Sequence, residues 1–190
     1  DDRAVVATDV QPGFFLCSTP LPAGTLVGPG DFASLTVAAS VEGGGPSPPI
    51  AIEQFNLQDP QIVQFGYDEG WFEPEYNPRT ARSWRWMGER AVLRVHHGGG
   101  DVVVRLRGES PMRYFRTPQN VRVVAGSQNL AEWRLDADFD LQVSVPAGVL
   151  DAAGGRLTLH AEQVYVAGQR EATADRRRLA LRVFDVDVRR

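Results

Sequence analysis

Apolar residues along this chain fall at every second position or in short β-branched runs, and almost nowhere at the three-to-four spacing of a helix. Ala91-Val-Leu-Arg-Val alternates, and Val102-Val-Val-Arg-Leu-Arg alternates again. Gly, Pro, Asn and Asp interrupt such stretches in PLPAG, EGGGPSPP, HHGGGD, AGSQN and DAAGG, residues that turn or end a strand. The pattern predicts strands over 13–18, 34–41, 50–56, 61–67, 83–87, 90–96, 102–108, 120–125, 130–136, 139–145, 156–166 and 178–188. Short strands with turns at this spacing predict an all-β fold, an antiparallel two-sheet β-sandwich of the jelly-roll kind. One domain over 1–190 is expected, with 1–60 either a less regular N-terminal part or a small additional sheet. The glycines of HHGGGD predict a hairpin from Ala91 to Val104. Residues 146–153 predict one helical turn between strands.

Composition narrows the class. The chain has 190 residues, 43% hydrophobic and 23% charged, enough for a sizeable core. Its net charge is −4 and no basic face is clustered, so no nucleic-acid partner is expected. All 20 basic residues are arginine, a total absence of lysine that speaks of codon bias rather than chemistry. Cys17 is the one cysteine, so no internal disulfide forms; its apolar setting FFLCSTPLP predicts a buried structural thiol. No run of about 18 apolar residues is present to span a membrane. The start at Asp-Asp-Arg, with neither methionine nor signal peptide, reads as a processed or excised fragment.

Residues 70–90, GWFEPEYNPRTARSWRWMGER, carry the most chemistry. Glu-Pro and Asn-Pro make a loop that feeds a strand. Trp84 and Trp86 are two apart and share a strand face, with Arg85 on the other. Trp71, Tyr76, Trp84 and Trp86 either form a platform on which sugar rings stack, with Arg85, Glu73 and Glu75 bonding hydroxyls, or fill the sandwich, or make a protein-docking patch. An unpaired inward arginine is costly, which favours buried tryptophans and a solvated Arg85; the opposite arrangement would need a carboxylate such as Glu89 for Arg85. Glu69, Glu73 and Glu75 resemble the acids of a glycosidase only weakly, since they share one loop; salt bridges to Arg79, Arg82 or Arg85 are expected instead. Asp136, Asp138 and Asp140 lack the glycine and distal glutamate of a calcium loop. His96 and His97 belong to a turn, and with His160 they make no zinc spacing. Asp175-Arg-Arg-Arg178 reads as a solvated turn paired with acids. No nucleophile, metal or cofactor motif stands out, so no catalysis and no cofactor are expected.

The succession FGYDEGWFEPEYNPRTARSWRWMGERAVLRV, DVVVRLRGES, VRVVAGSQNLAEWRL, FDLQVSVPAGVL and ADRRRLALRVFDVDV spans about two thirds of the chain. It resembles the soluble C-terminal β-sandwich of some bacterial multi-pass membrane glycosyltransferases, lipid-phosphosugar-dependent enzymes similar to protein mannosyltransferases and aminoarabinose transferases. Gly70-Trp71 with Glu75, Trp84-Arg85-Trp86 with Arg90, and the run from Arg177 to Phe184 carry the likeness. The resemblance implies a carbohydrate-binding-module-like fold and an extracytoplasmic accessory module tethered to a membrane-embedded portion of the same polypeptide. It implies a glycan or lipid-linked sugar as partner, with the transferase acids in that membrane portion. A purely structural or protein-interaction domain remains the other reading.

Overall fold

The computed structural model describes residues 6–11, 13, 15, 17, 19–22, 24–25, 35–52, 55, 57, 59, 61–170 and 173–190. Two compact units divide the chain, Asp1–Gln11 with Cys17–Gln58, and Pro12–Leu16 with Asp59–Arg190. The described residues before position 61 contain no strand, which corrects the expectation over the described parts of 34–41 and 50–56; the segment 13–18 lies partly outside the described residues. Alternation there is defeated by its punctuation. Gly43, Gly44 and Gly45 take positive φ, and Pro46, Pro48 and Pro49 have no N–H to give a ladder. Cys17 is exposed, not buried as its apolar neighbours suggested.

From Gln64 onward the chain has strands as the main element of its described residues. Its elements are β1 (Gln64–Tyr67), β2 (Glu75–Asn77), β3 (Arg82–Met87), β4 (Arg90–His96), β5 (Val102–Glu109), β6 (Gln119–Ala125), β7 (Gln128–Leu135), β8 (Asp138–Val145), β9 (Arg156–Ala161), β10 (Tyr165–Val166), β11 (Arg178–Leu179) and β12 (Leu181–Arg189). A 3-10 turn η1 (Met112–Tyr114), a helical turn α1 (Ala147–Ala152) and a shorter one, α2 (Ala167–Arg170), complete it. No helix of the described residues is long and apolar enough to cross a membrane.

Two five-stranded antiparallel sheets form, ordered β1-β4-β9-β6-β7 and β2-β3-β12-β5-β8. Without the edge strands β1 and β2, these are the two four-stranded sheets of an eight-stranded jelly roll. The sandwich fold expected from the alternation is therefore the fold observed. Ala91, Leu93, Val95, Val121, Val123, Leu157 and Leu159 of the first sheet pack into one core with Met87, Val102, Val104, Leu106, Val143, Val145, Leu181 and Val183 of the second. Their outward neighbours are mostly polar or charged, the period-two signature that made the strands legible.

Three local expectations change. β4 and β5 do not form a hairpin: β4 lies between β1 and β9, and β5 between β12 and β8. The HHGGGD segment arches from one sheet to the other, with Gly98 and Gly99 at positive φ. Alternation says which side of a strand faces inward, not which strand lies beside it. The stretch 156–166 divides into β9 and β10, and β2 was not foreseen in the proline-rich loop.

The chain between β1 and β2 closes one side of the sandwich. After β1, the Asp68 and Val92 amides donate to the Val92 and Glu69 carbonyls, keeping the chain on β4. It then bridges to β3 through Trp71 and Met87, and the Phe72 amide donates to Trp86 O at 2.9 Å. Gly70 makes the crossing at φ +79°, and a Cβ there would lie 1.8 Å from the Arg90 carbonyl oxygen. No other residue fits so close a backbone approach.

Candidate ligand-binding crevice

The side-chain period of β3 decides what the site contains. Met87 is fully buried in the sandwich core, so Arg85 shares the inner face and Trp84 and Trp86 share the outer one. The tryptophan pair does lie on one face, but that face is not the sandwich core. Arg85 is the residue that turns inward, against the expectation that it would be solvated. Its Nη1 donates to Phe72 O at 3.1 Å, and its guanidinium lies 4.4 Å from the Tyr67 ring centroid. Glu89 pairs with Arg178 instead.

On the outer face, Trp86 is only 6% exposed. It packs in a second, smaller apolar cluster with Tyr165, Ala167 and Leu179, joined by Phe72, Trp84, Tyr114 and Phe115. The two-stranded β10–β11 sheet supplies Tyr165 and Leu179. Tyr165 meets Trp86 edge-on at 5.8 Å and stacks on Tyr114 at 3.9 Å. Trp84 remains half-buried.

Strand pairing brings the polar groups to this face. Glu75 of β2 lies opposite Trp84 and accepts its indole N–H at 3.0 Å. Arg177, more than a hundred residues along the chain, donates to Glu75 at 2.8 Å and to Asp175 at 2.6 Å. That contact with Arg177 holds the Asp175 carboxyl below its usual range, and the two acids raise the guanidinium further. Arg182 of β12 lies opposite Trp86. Its guanidinium sits 5.0 Å from the Trp84 ring, 5.8 Å from Trp86 and 5.5 Å from Phe184, and it ion-pairs with Glu109. Its Nε is buried and has no hydrogen-bond partner among the described residues.

Two adjoining hollows open here. One, of about 240 Å³, is lined by Trp84, Trp86, Tyr114, Tyr165 and the charged Glu75, Arg113, Asp175, Arg177 and Arg182. The other, of about 150 Å³, is lined by Asn77, Thr80, Arg82, Trp84, Arg182 and Phe184. Trp84 and Arg182 border both.

Of the seven residues singled out from the sequence, Glu75, Trp84 and Trp86 meet at this crevice. Trp71 does not. It is 7% exposed in the sandwich core, and its indole N–H donates to Val92 O at 2.8 Å. Tyr76, opposite Ser83, takes the other face of β2 and is 60% exposed. Glu73 is exposed on the loop, and Arg85 faces inward. The four aromatics therefore form no single plane. Among the described residues, Glu69 and Glu75 of this loop pair with partners other than Arg79, Arg82 or Arg85. Glu69 is bonded by Arg90 and Arg156, which lower its carboxyl below the ordinary range, and Glu75 by Arg177. The basic run of 175–178 pairs with acids, as its composition suggested.

Arg113, Tyr114 and Tyr165 carried no local signal, because they come from the distant η1 and β10. Asp175 and Arg182 had been marked out only within the runs Asp175–Arg178 and Arg177–Phe184, with no role at a crevice. Elsewhere, Asp140 is bonded by Arg105 through Nε at 2.7 Å, and the described residues hold no group of three or more His, Cys, Asp or Glu placed for a metal. No protein-family model, curated protein or solved structure matches the chain.

Proposed function

We propose that this chain is a non-catalytic binding module that holds a sugar in the outer-face crevice beside Trp84. The observation that carries the reading is the half-buried Trp84 ring, bordering two hollows that are lined by both aromatic and polar groups. Sugar rings present C–H faces to aromatic surfaces and hydroxyls to Asn, Thr, Arg and carboxylates, and this crevice supplies both kinds of partner. Catalysis is disfavoured by the state of its acids. Glu75 and Asp175 hold the same guanidinium, whereas glycoside hydrolysis needs one acid free to give a proton and another free to attack or activate water.

The wider setting rests on the resemblance of residues 65–188 to the C-terminal β-sandwiches of bacterial membrane glycosyltransferases. On that basis the module works outside the cytoplasm, next to the membrane-embedded portion of a longer polypeptide, and a lipid-linked sugar is a candidate ligand. The test is a glycan array probed with the 190-residue chain and with Trp84→Ala. Retention of a glycan by the native chain, lost in Trp84→Ala while its thermal melt stays cooperative, is the expected result. A native chain that retains no glycan, or a variant that retains the same ones, overturns the reading in favour of a structural or protein-interaction domain.

A further inference from the structure

We propose that the sugar held in the larger hollow carries an anionic group, carboxylate or phosphate, and that this group is received by Arg113. The inference rests on the sugar-binding reading above and names its ligand more narrowly. Three guanidinium groups line the hollow, those of Arg113, Arg177 and Arg182, against two carboxylates, Glu75 and Asp175. The carboxylates are already engaged. Arg177 bonds both, and Glu75 also accepts the Trp84 indole N–H. Arg182 has its own acid in Glu109. Arg113 is the cation left over: it lies on the Tyr114 ring, 4.7 Å from the centroid, and meets no carboxylate among the described residues.

Its placement is built rather than incidental. The η1 turn that carries Arg113 is closed by the Tyr114 amide donating to Pro111 O at 2.9 Å. Tyr114 is in turn stacked on Tyr165, which packs against Trp86. The guanidinium is thus laid at the rim of the hollow by the same aromatic stack that forms its wall. A neutral sugar leaves this charge to water. An acidic one gains a charge-assisted hydrogen bond, roughly twice as strong as a neutral one, in a fork that matches carboxylate and phosphate oxygens. Repulsion of an incoming anion is reduced, because Arg177 spans the two wall acids and offsets one of their two charges.

The experiment titrates the full chain with methyl glucoside, glucuronic acid and glucose 6-phosphate, followed by tryptophan fluorescence and ligand-observed NMR. At least one acidic sugar is expected to bind about tenfold tighter than the neutral glycoside, as a charged hydrogen bond replaces a neutral one. Raising salt from about 20 to about 200 mM narrows the gap. Arg113→Gln, an exposed change that leaves the melt in place, closes it to less than about twofold. Preference for one acid alone identifies the group and supports the proposal. Equal binding of all three sugars, or an acid preference that survives Arg113→Gln, overturns it and leaves the sugar-binding reading standing. Binding of none, together with an empty glycan array, overturns both.

Discussion

Trp86→Ala tests whether the outer face of β3 carries a packed cluster of its own. The indole is 6% exposed, flanked by Tyr165 at 5.8 Å and the Arg182 guanidinium at 5.8 Å, with Leu179 and Ala167 completing the cluster. A tryptophan in such a place buries about 150–250 Å², and its truncation costs roughly 3–5 kcal/mol. For a chain of this length each kcal/mol moves the midpoint by about 2–4 °C, so a drop of roughly 6–20 °C is expected. Because Tyr165 and Leu179 sit on the two-stranded β10–β11 sheet, amide exchange should rise first in 165–170 and 173–179. The assay is urea unfolding followed by circular dichroism, with Trp86→Phe beside it to retain a ring and recover much of the loss. A cost below about 1 kcal/mol for Trp86→Ala, the size of an ordinary surface change, would show that the indole is not buried and that the crevice has no firm wall.

Two further predictions concern the frame around the site. Gly70→Ala would put a Cβ 1.8 Å from Arg90 O at φ +79°, forcing the crossing strand away from β4. Expected is a loss beyond about 1–3 kcal/mol of backbone strain, read from a urea titration; an unchanged midpoint refutes the close approach. Acidification should weaken the fold in stages. Burial, with Arg122 and Arg90 next in weight, lowers the His160 pKa below its ordinary 6.5. The unfolded chain therefore binds the proton more readily, so the stability from a neutral His160 is complete above about pH 6.5 and is lost as pH falls through the lower folded value. The lowered Glu69, Asp140 and Asp175 extend the loss below their ordinary values of 4.5, 3.8 and 3.8. Melting midpoints between about pH 7 and pH 5 should fall, and His160→Gln should flatten that part of the curve; an equal slope in the variant refutes the assignment.

What the sequence disclosed and withheld follows from the range of each interaction. The strands β4, β5, β6 and β8 were legible because their runs of apolar and β-branched residues are local signals. The partners of β4 were not, since the choice of neighbour depends on strands as distant as β9. The shared face of Trp84 and Trp86 was legible for a local reason too, their spacing of two. Its direction was not, because the cost assigned to an inward arginine assumed a dry, featureless interior. β3 instead lies next to the edge strand β2, where the Phe72 carbonyl and the Tyr67 ring meet Arg85. The bond between Glu75 and Arg177 spans 102 positions, and no spacing rule finds such a pair. Cys17 failed in another way, since an apolar neighbourhood in sequence is not a buried one in space.

The location of the crevice follows from where the two outer faces have spent their polar groups. On the first sheet, Arg94 and Arg156 both donate to the buried Asp68, and Arg156 and Arg90 both hold Glu69, so three cations and two acids there share one network. On the far half of the second sheet, Arg105 is matched with Asp140 and Arg107 with Asp185. These surfaces offer a ligand mainly pairs that it would have to break, at a cost in both partners' hydrogen bonds. The near half of the second sheet differs in kind. Its Trp84, Tyr114 and Phe184 rings are only partly covered, its acids are tied to one side by Arg177, and Arg113 meets no carboxylate among the described residues and lies over an aromatic ring. A ligand arriving there gains contacts without dismantling any, and among the described outer surfaces of the sandwich that combination of open ring and unspent donor marks this corner as the place where binding costs least.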